Sequence, residues 1–259
     1  MLLSAGTISA AIALLAGCGG AANVQSTVSI AAHTAQVPQA LAPAGGPPAQ
    51  STRSSPPLRQ ARPPVLLAPR IRQWPIPYGA ARRREMAAYS LRHYGEDTYV
   101  LMHPKVIVEH YTETATAQQA FNTFAPDVPD NEFHELPNTC AHFLVEPDGT
   151  IDQLVALSLR CRHTTGLNWT AIGIENVGFS DQSILGDRAQ ITASLRLTRW
   201  LRCRYSIALN NVIGHNESLS SPYHGDRVPA FQHQTHSDWN HADMNRYRGL
   251  LARYPCSRG

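Results

Sequence analysis

Lysine is almost absent from this chain. Lys105 stands alone, and arginine supplies the rest of the 22 basic side chains. Against 19 acidic residues the formal net charge is only +3. Arginine runs such as "ARRR" at 81–84 are local, so a nucleic-acid partner is not indicated and a solvated helix face accounts for them. No two cysteines stand at C-x-x-C spacing, which argues against a cysteine-built zinc site. No internal repeat is present. No apolar run reaches the roughly 18 residues that a transmembrane helix needs.

What is present is unevenly spread. The first seventeen residues, "MLLSAGTISAAIALLAG", are apolar and small and read as a secretory signal lacking the usual basic start. The tetrad Leu15-Ala16-Gly17-Cys18 resembles the bacterial lipoprotein box, which implies cleavage before Cys18 and a lipid on its sulfur. The protein is therefore expected to be exported and membrane-anchored, on the periplasmic face of an outer membrane or at the cell surface. Residues 18–78 are rich in Ala, Pro, Ser, Gln and Gly. They bury too little to offset ordering entropy and read as a flexible tether. Its apolar patch, "PVLLAPRIRQW", is the segment expected to dock first on the folded domain. Residues 79–259 form that one domain, long enough for a proper core, and expected to be monomeric.

Within the domain, "RRREMAAYSLRHYG" reads as a helix with Met86, Tyr89 and His93 on one face and Gly95 as the left-handed end residue. "KVIVEHYT" reads as a strand and "TAQQAFNTFA" as a short helix. "CAHFLVEPDGTIDQLVAL" reads as a hairpin turning at Asp148-Gly149. "TAIGIENVG" is a strand with Ile172 and Ile174 on one side and Ala171, Gly173 and Glu175 on the other. "DRAQITASLRLTRWLRCR" is a helix capped by Asp187, with Gln190 placed for a capping box, and with Ala193, Leu197, Trp200 and Leu201 as its buried stripe. "NNVIGH" is a short strand, and "HADMNRYRGLLARY" a closing helix to Tyr254. Strands alternating with helices indicate an α/β domain, a central mixed sheet flanked by helices.

With Cys18 set aside, four cysteines in an exported chain suggest two disulfides. The hairpin returns the chain from Cys161 towards Cys140, and two long helices each end in a cysteine. The expected pairs are therefore Cys140–Cys161 and Cys203–Cys256.

Three polar residues interrupt apolar strands: His110, Glu175 and His215. A buried charge or imidazole among Val and Ile is costly without a partner or a metal. Together with the stretch "HQTHSDWNHADM" at 233–244, they indicate a His/Asp metal site, with zinc the expected ion. His93, His103, His134 and His142 show no partner pattern.

These segments resemble the zinc-dependent N-acetylmuramoyl-L-alanine amidases, whose wider family includes the peptidoglycan recognition proteins. "VIVEHYTET", "CAHFLVEPDGTIDQLV", "CRHTTGLNWTAIGIENVG" and "VIGHNES" are similar to the family's segments and fall in its order. The resemblance implies zinc held by His110 and His215. It implies a third ligand at Asp238 in "THSDW", with Asp226 in "HGD" or His236 as alternatives. It further implies Glu175 as general base and acid, and His236 in a position where the family often has Lys, as an oxyanion helper. His163 and Asn168 match positions lining the substrate groove. The implied activity is zinc-assisted hydrolysis of the amide between N-acetylmuramic acid and L-alanine in peptidoglycan or muropeptides. The competing reading is a lipoprotein of the same fold that binds muropeptides without cleaving them.

Overall fold

Alternation within two β-rich runs sets up the centre of the molecule: one face of the two strands carries Ile107, Ile172 and Ile174, and the other carries His110 and Glu175. The computed structural model describes residues 67–256. The signal segment, Cys18 and the tether up to residue 66 lie outside the described residues. In chain order the elements are β1 (Arg72–Gln73), α1 (Ala80–Tyr94), β2 (Val106–Tyr111), α2 (Ala117–Phe124), β3 (Phe143–Val145), β4 (Ile151–Gln153), β5 (Ala171–Asn176), α3 (Asp181–Gly186), α4 (Arg188–Tyr205), β6 (Val212–Gly214) and α5 (His241–Leu251). The six strands form one mixed sheet in the order β1-β4-β3-β5-β2-β6. Among these strands only the β3–β4 hairpin is antiparallel.

β2 and β5 pair in parallel over six residues, with His110 directly opposite Glu175. Ile107, Ile172, Ile174, Phe143 and Val145 face one main core, which α4 and α5 cover with Leu197, Leu201, Met244, Tyr247 and Leu251. Behind the hairpin, Leu144 and Leu154 pack with Ala120 and Phe124 of α2 and with the Cys140–Cys161 pair. Covering both faces is what makes parallel strands read as near-continuous apolar runs. Both expected disulfides are formed, Cys140 with Cys161 and Cys203 with Cys256.

Several expectations need correction. The patch expected to dock does so, Arg72 and Gln73 adding an edge strand and Trp74 stacking on Phe121, and with Ile76 also buried the packed domain starts before the expected boundary at residue 79. Arg82, within the run read as solvated, is buried, and its guanidinium donates to the carbonyls of Phe124, Asn138 and Thr139 at 3.0–3.3 Å. The closing helix stops at Leu251 rather than Tyr254, which is exposed. Pro255 disfavours helical geometry in the residue before it. Asp187 does cap α4, accepting from the amides of Ala189 and Gln190. The Gln190 side chain, however, does not return to the cap. It turns inward and donates to the carbonyls of Val145 and Val177 at 2.9 and 2.8 Å. The Val145 carbonyl also accepts from the Val177 amide, so Gln190 ties the ends of β3 and β5 together from inside, which outweighs completing a solvent-facing box.

Candidate active site

The site lies where the parallel strands end. His110 is the fifth residue of β2, and its strand parity turns the imidazole away from the core that Ile107 faces. Glu175 occupies the matching position on β5. His215 follows β6 directly, at the start of a short 3-10 turn through Ser220. The carboxyl ends of parallel strands are the usual location of sites in open α/β sheets.

Asp238 reaches the same place from a loop. Its carboxylate lies 3.0 Å from His110 Nδ1 and 3.3 Å from His215 Nδ1. The loop is held there by Trp239, which is fully buried and adopts a left-handed φ of 53°. The Trp239 amide donates to Asp181 at 2.8 Å, and its indole N–H donates to the His110 carbonyl at 3.0 Å. Asp181 also accepts from the Asn240 backbone and side chain. Gly214 is needed beside this turn, because a Cβ there would overlap the Trp239 carbonyl. The helix α3 that carries Asp181 was not expected from the sequence. Its start is signalled only by Ser180, whose hydroxyl accepts from the Ser183 amide.

Asp226, the alternative third ligand, lies elsewhere. It accepts from His93 Nδ1 at 2.8 Å, while His93 Nε2 donates to Glu135 at 2.9 Å. His93 was assigned no partner from sequence, yet it is a fully buried clamp between two carboxylates. Burial opposes its protonation, but the two hydrogen bonds outweigh that and raise its pKa. His236, the other alternative, is half exposed at the mouth of the groove. It stacks on the His215 ring at 4.7 Å between centroids and lies 3.1 Å from Glu132.

The donor set has the geometry and charge that a cation requires. One atom from each of His110, His215 and Asp238 lies within 4.8 Å of the others. Two imidazole nitrogens aimed at one carboxylate each present a proton to it or share a cation with it. Because His110 also donates from Nε2 to His163, in the metal-free arrangement it carries both protons and a positive charge. Burial works against it on His110, but the hydrogen bond to Asp238 and the nearby Glu175 carboxylate raise that pKa. Asp238 is correspondingly held well below the usual carboxylate range, since its bonds from both histidines outweigh burial. His215 stays neutral, burial lowering its pKa to about 4, and its Nε2 has no partner. Two neutral-capable imidazoles and one carboxylate suit a divalent ion with nitrogen and oxygen ligands.

Around this triad the residues divide by role. Glu175 is buried with Oε2 unpartnered, and burial pushes its pKa up to about 7. His163 lies against His110 rather than only lining the groove: its Nδ1 accepts from His110 Nε2 at 3.2 Å, and its Nε2 faces the Ala171 carbonyl at 3.4 Å. Burial and the neighbouring His110 charge hold His163 neutral. A proton kept on His110 Nε2 leaves the Nδ1 lone pair free for a metal. The His163 ring packs over Gly173, where a Cβ would fall 2.6 Å from its Cγ. Asn168 is spent on the loop. Its Oδ1 accepts from the amides of His163 and Thr164 at 2.8 Å, and its Nδ2 donates to Tyr89. It therefore orients His163 from behind.

Two further residues were missed. His142 is a neutral strut in the sheet, accepting from the Gly173 amide and donating to the Leu159 carbonyl. Glu109 is fully buried behind the site strand and accepts from Thr198, Tyr247, Asn176 and Ser194 at 2.7–3.4 Å. Asn176 also donates to the His110 carbonyl. The signal for Glu109 was present in "VIVEHYT", where alternation sends it to the face opposite His110.

The triad opens on a groove of about 670 Å³, walled by the end of α2, the 126–132 loop and the 236–238 loop. That volume is typical of small-ligand sites.

Among solved structures, this chain is similar to the N-acetylmuramoyl-L-alanine amidase LysC from Clostridium intestinale, with 17% identity, 71% of this chain and 99% of that chain covered, and a TM-score of 0.46. It is similar to an AmpD derivative at 18% identity, covering 72% and 99%, with a TM-score of 0.45. It is also similar to the amidase AmiD from E. coli, solved with anhydro-N-acetylmuramic acid-L-Ala-D-gamma-Glu-L-Lys, at 26% identity, covering 45% and 50%, with a TM-score of 0.36. No curated protein matches. The sequence model of the Amidase_2 family, described as N-acetylmuramoyl-L-alanine amidase, matches residues 101–246, which contain every residue of the triad and Glu175. The chain belongs to the N-acetylmuramoyl-L-alanine amidase family.

Proposed function

We propose that this protein hydrolyses the amide between N-acetylmuramic acid and L-alanine in peptidoglycan or its fragments, using a zinc ion held by His110, His215 and Asp238. The observation that carries the reading is the pairing of a converging His-His-Asp donor set with an unpartnered, buried Glu175 at the same strand ends. A zinc ion bound there supplies a Lewis acid that lowers the pKa of water to about 7.

The chain's own residues do the rest. Glu175, whose carboxyl burial lifts to about 7, is poised to take a proton from attacking water and return it to the leaving amine. A cation beside it would favour its ionised form and so its action as base. His163 and Thr164 fix the His110 ring, Nε2 of which lies 3.2 Å from each of them. His236, at the groove mouth and braced by Glu132, is placed to donate to the carbonyl oxygen. The groove holds the muramyl peptide. The signal segment, Cys18 and the tether would put this activity in the envelope, with the domain able to reach away from its anchor.

Incubation with muropeptides tests the reading. Free stem peptide should appear, should stop on chelation, and should fall by roughly 10²–10⁴-fold in Glu175→Gln. Binding without release would instead identify a muropeptide-binding lipoprotein.

A further inference from the structure

The groove is lined mainly by acidic groups among its charged side chains. Among the described residues that line it, the acidic side chains beyond the site itself are Glu113, Asp130 and Glu132. The one permanently cationic side chain is Arg162. That guanidinium is already committed. It is nearly buried, donates to Asp130 at 2.9 Å, and donates to the carbonyls of Glu135 and Pro137. Glu132 is shared with His236. Glu113 is exposed, has no ion-pair partner among the described residues, and sits three positions after His110. The chain's single lysine, Lys105, precedes β2 and so lies at the opposite end of that strand from the site. Glu175, more than nine-tenths buried and unpartnered, is aimed into the same groove, but the dication proposed beside it offsets its charge and that of Asp238, so Glu113 is the acid left uncompensated.

A stem peptide presented to such a groove brings its own carboxylates. Among the described residues, no uncommitted arginine or lysine lines the groove to receive one, whereas Glu113 would repel it. An amine-bearing side chain, or a carboxylate converted to a carboxamide, meets no such penalty. A carboxamide also brings N–H donors for the acidic wall.

We propose that the groove selects muramyl peptides whose stem carboxylates are carried as carboxamides, with Glu113 as the residue that disfavours the free acid. The proposal rests on the amidase reading of the site. Discrimination of about fivefold is expected for each carboxylate that comes within contact distance of Glu113, the factor carried by an unscreened like-charge pair in water. It should shrink as salt screens the pair.

The test compares two peptides, N-acetylmuramyl-L-Ala-D-γ-Glu-L-Lys and its counterpart with the D-glutamyl α-carboxylate as the carboxamide. Both Kd, by calorimetry, and kcat/KM are measured on the full chain, at low salt and at about 0.5 M salt. The carboxamide should bind and react better, and Glu113→Lys should remove or invert the preference while Glu113→Gln weakens it. Equal values for the two peptides, or preference for the free acid by the wild type, overturn the inference and leave the amidase reading standing. A preference in Kd without cleavage of either peptide overturns the amidase reading and upholds the inference.

Discussion

Replacing His163 by Phe gives the sharpest test of how the site is held. The substitution keeps a flat ring over Gly173 but removes the lone pair that receives His110 Nε2–H at 3.2 Å. Loss of an outer partner to a metal-binding histidine ordinarily lowers metal affinity by about 10–100-fold, or roughly 1.4–2.8 kcal/mol. In this site the loss should fall near the lower end. Thr164 Oγ also lies 3.2 Å from His110 Nε2 and can accept in place of His163. Removing both partners in His163→Phe/Thr164→Val should move the loss towards the upper end. Zinc affinity read by competition with a chromophoric chelator measures both, and thermal unfolding of the metal-free proteins shows whether the fold is retained. Unchanged affinity in the double variant, with the fold intact, would refute the assignment of His163 and Thr164 as the groups that orient His110.

Asp238→Ala should abolish zinc binding in a metal analysis while Asp226→Ala retains it, because only Asp238 lies on the two histidines; the reverse pattern would discard this ligand set. His93→Leu leaves a fully buried Asp226 side chain facing no cation and should cost about 3–5 kcal/mol in urea unfolding near pH 6. The raised His93 pKa makes that contribution complete below its ordinary value of 6.5 and lost as pH rises through the folded value, so the gap between variant and wild type should narrow towards pH 9. A gap that widens with pH contradicts the clamp. Gly173→Ala places a methyl group 2.6 Å from the His163 ring and should destabilise by about 1–3 kcal/mol and weaken zinc binding together; loss of stability with metal affinity intact would separate the two.

The sequence by itself determined what alternation and local chemistry can determine. The parity of "IGIENVG" sets Glu175 on the face opposite Ile172 and Ile174, since successive strand side chains point oppositely; that His110 shares this face follows from the pairing of β2 with β5. Gly95 and Asp187 mark helix ends because a left-handed residue and a side-chain acceptor are local requirements. Both disulfides were legible because a hairpin and two helix ends bring their cysteines close. What local chemistry cannot reveal is where a loop returns. Asp226 and Asp238 stand in similar His-rich surroundings, and only the fold decides between them: Trp239 and Asp181 pin one against His110, while His93 of a distant helix claims the other. For the same reason His93, His142 and Glu109 look idle or misplaced in one dimension. Their partners lie 133, 31 and up to 138 residues away, and a buried polar group has meaning only through the partner that tertiary structure supplies.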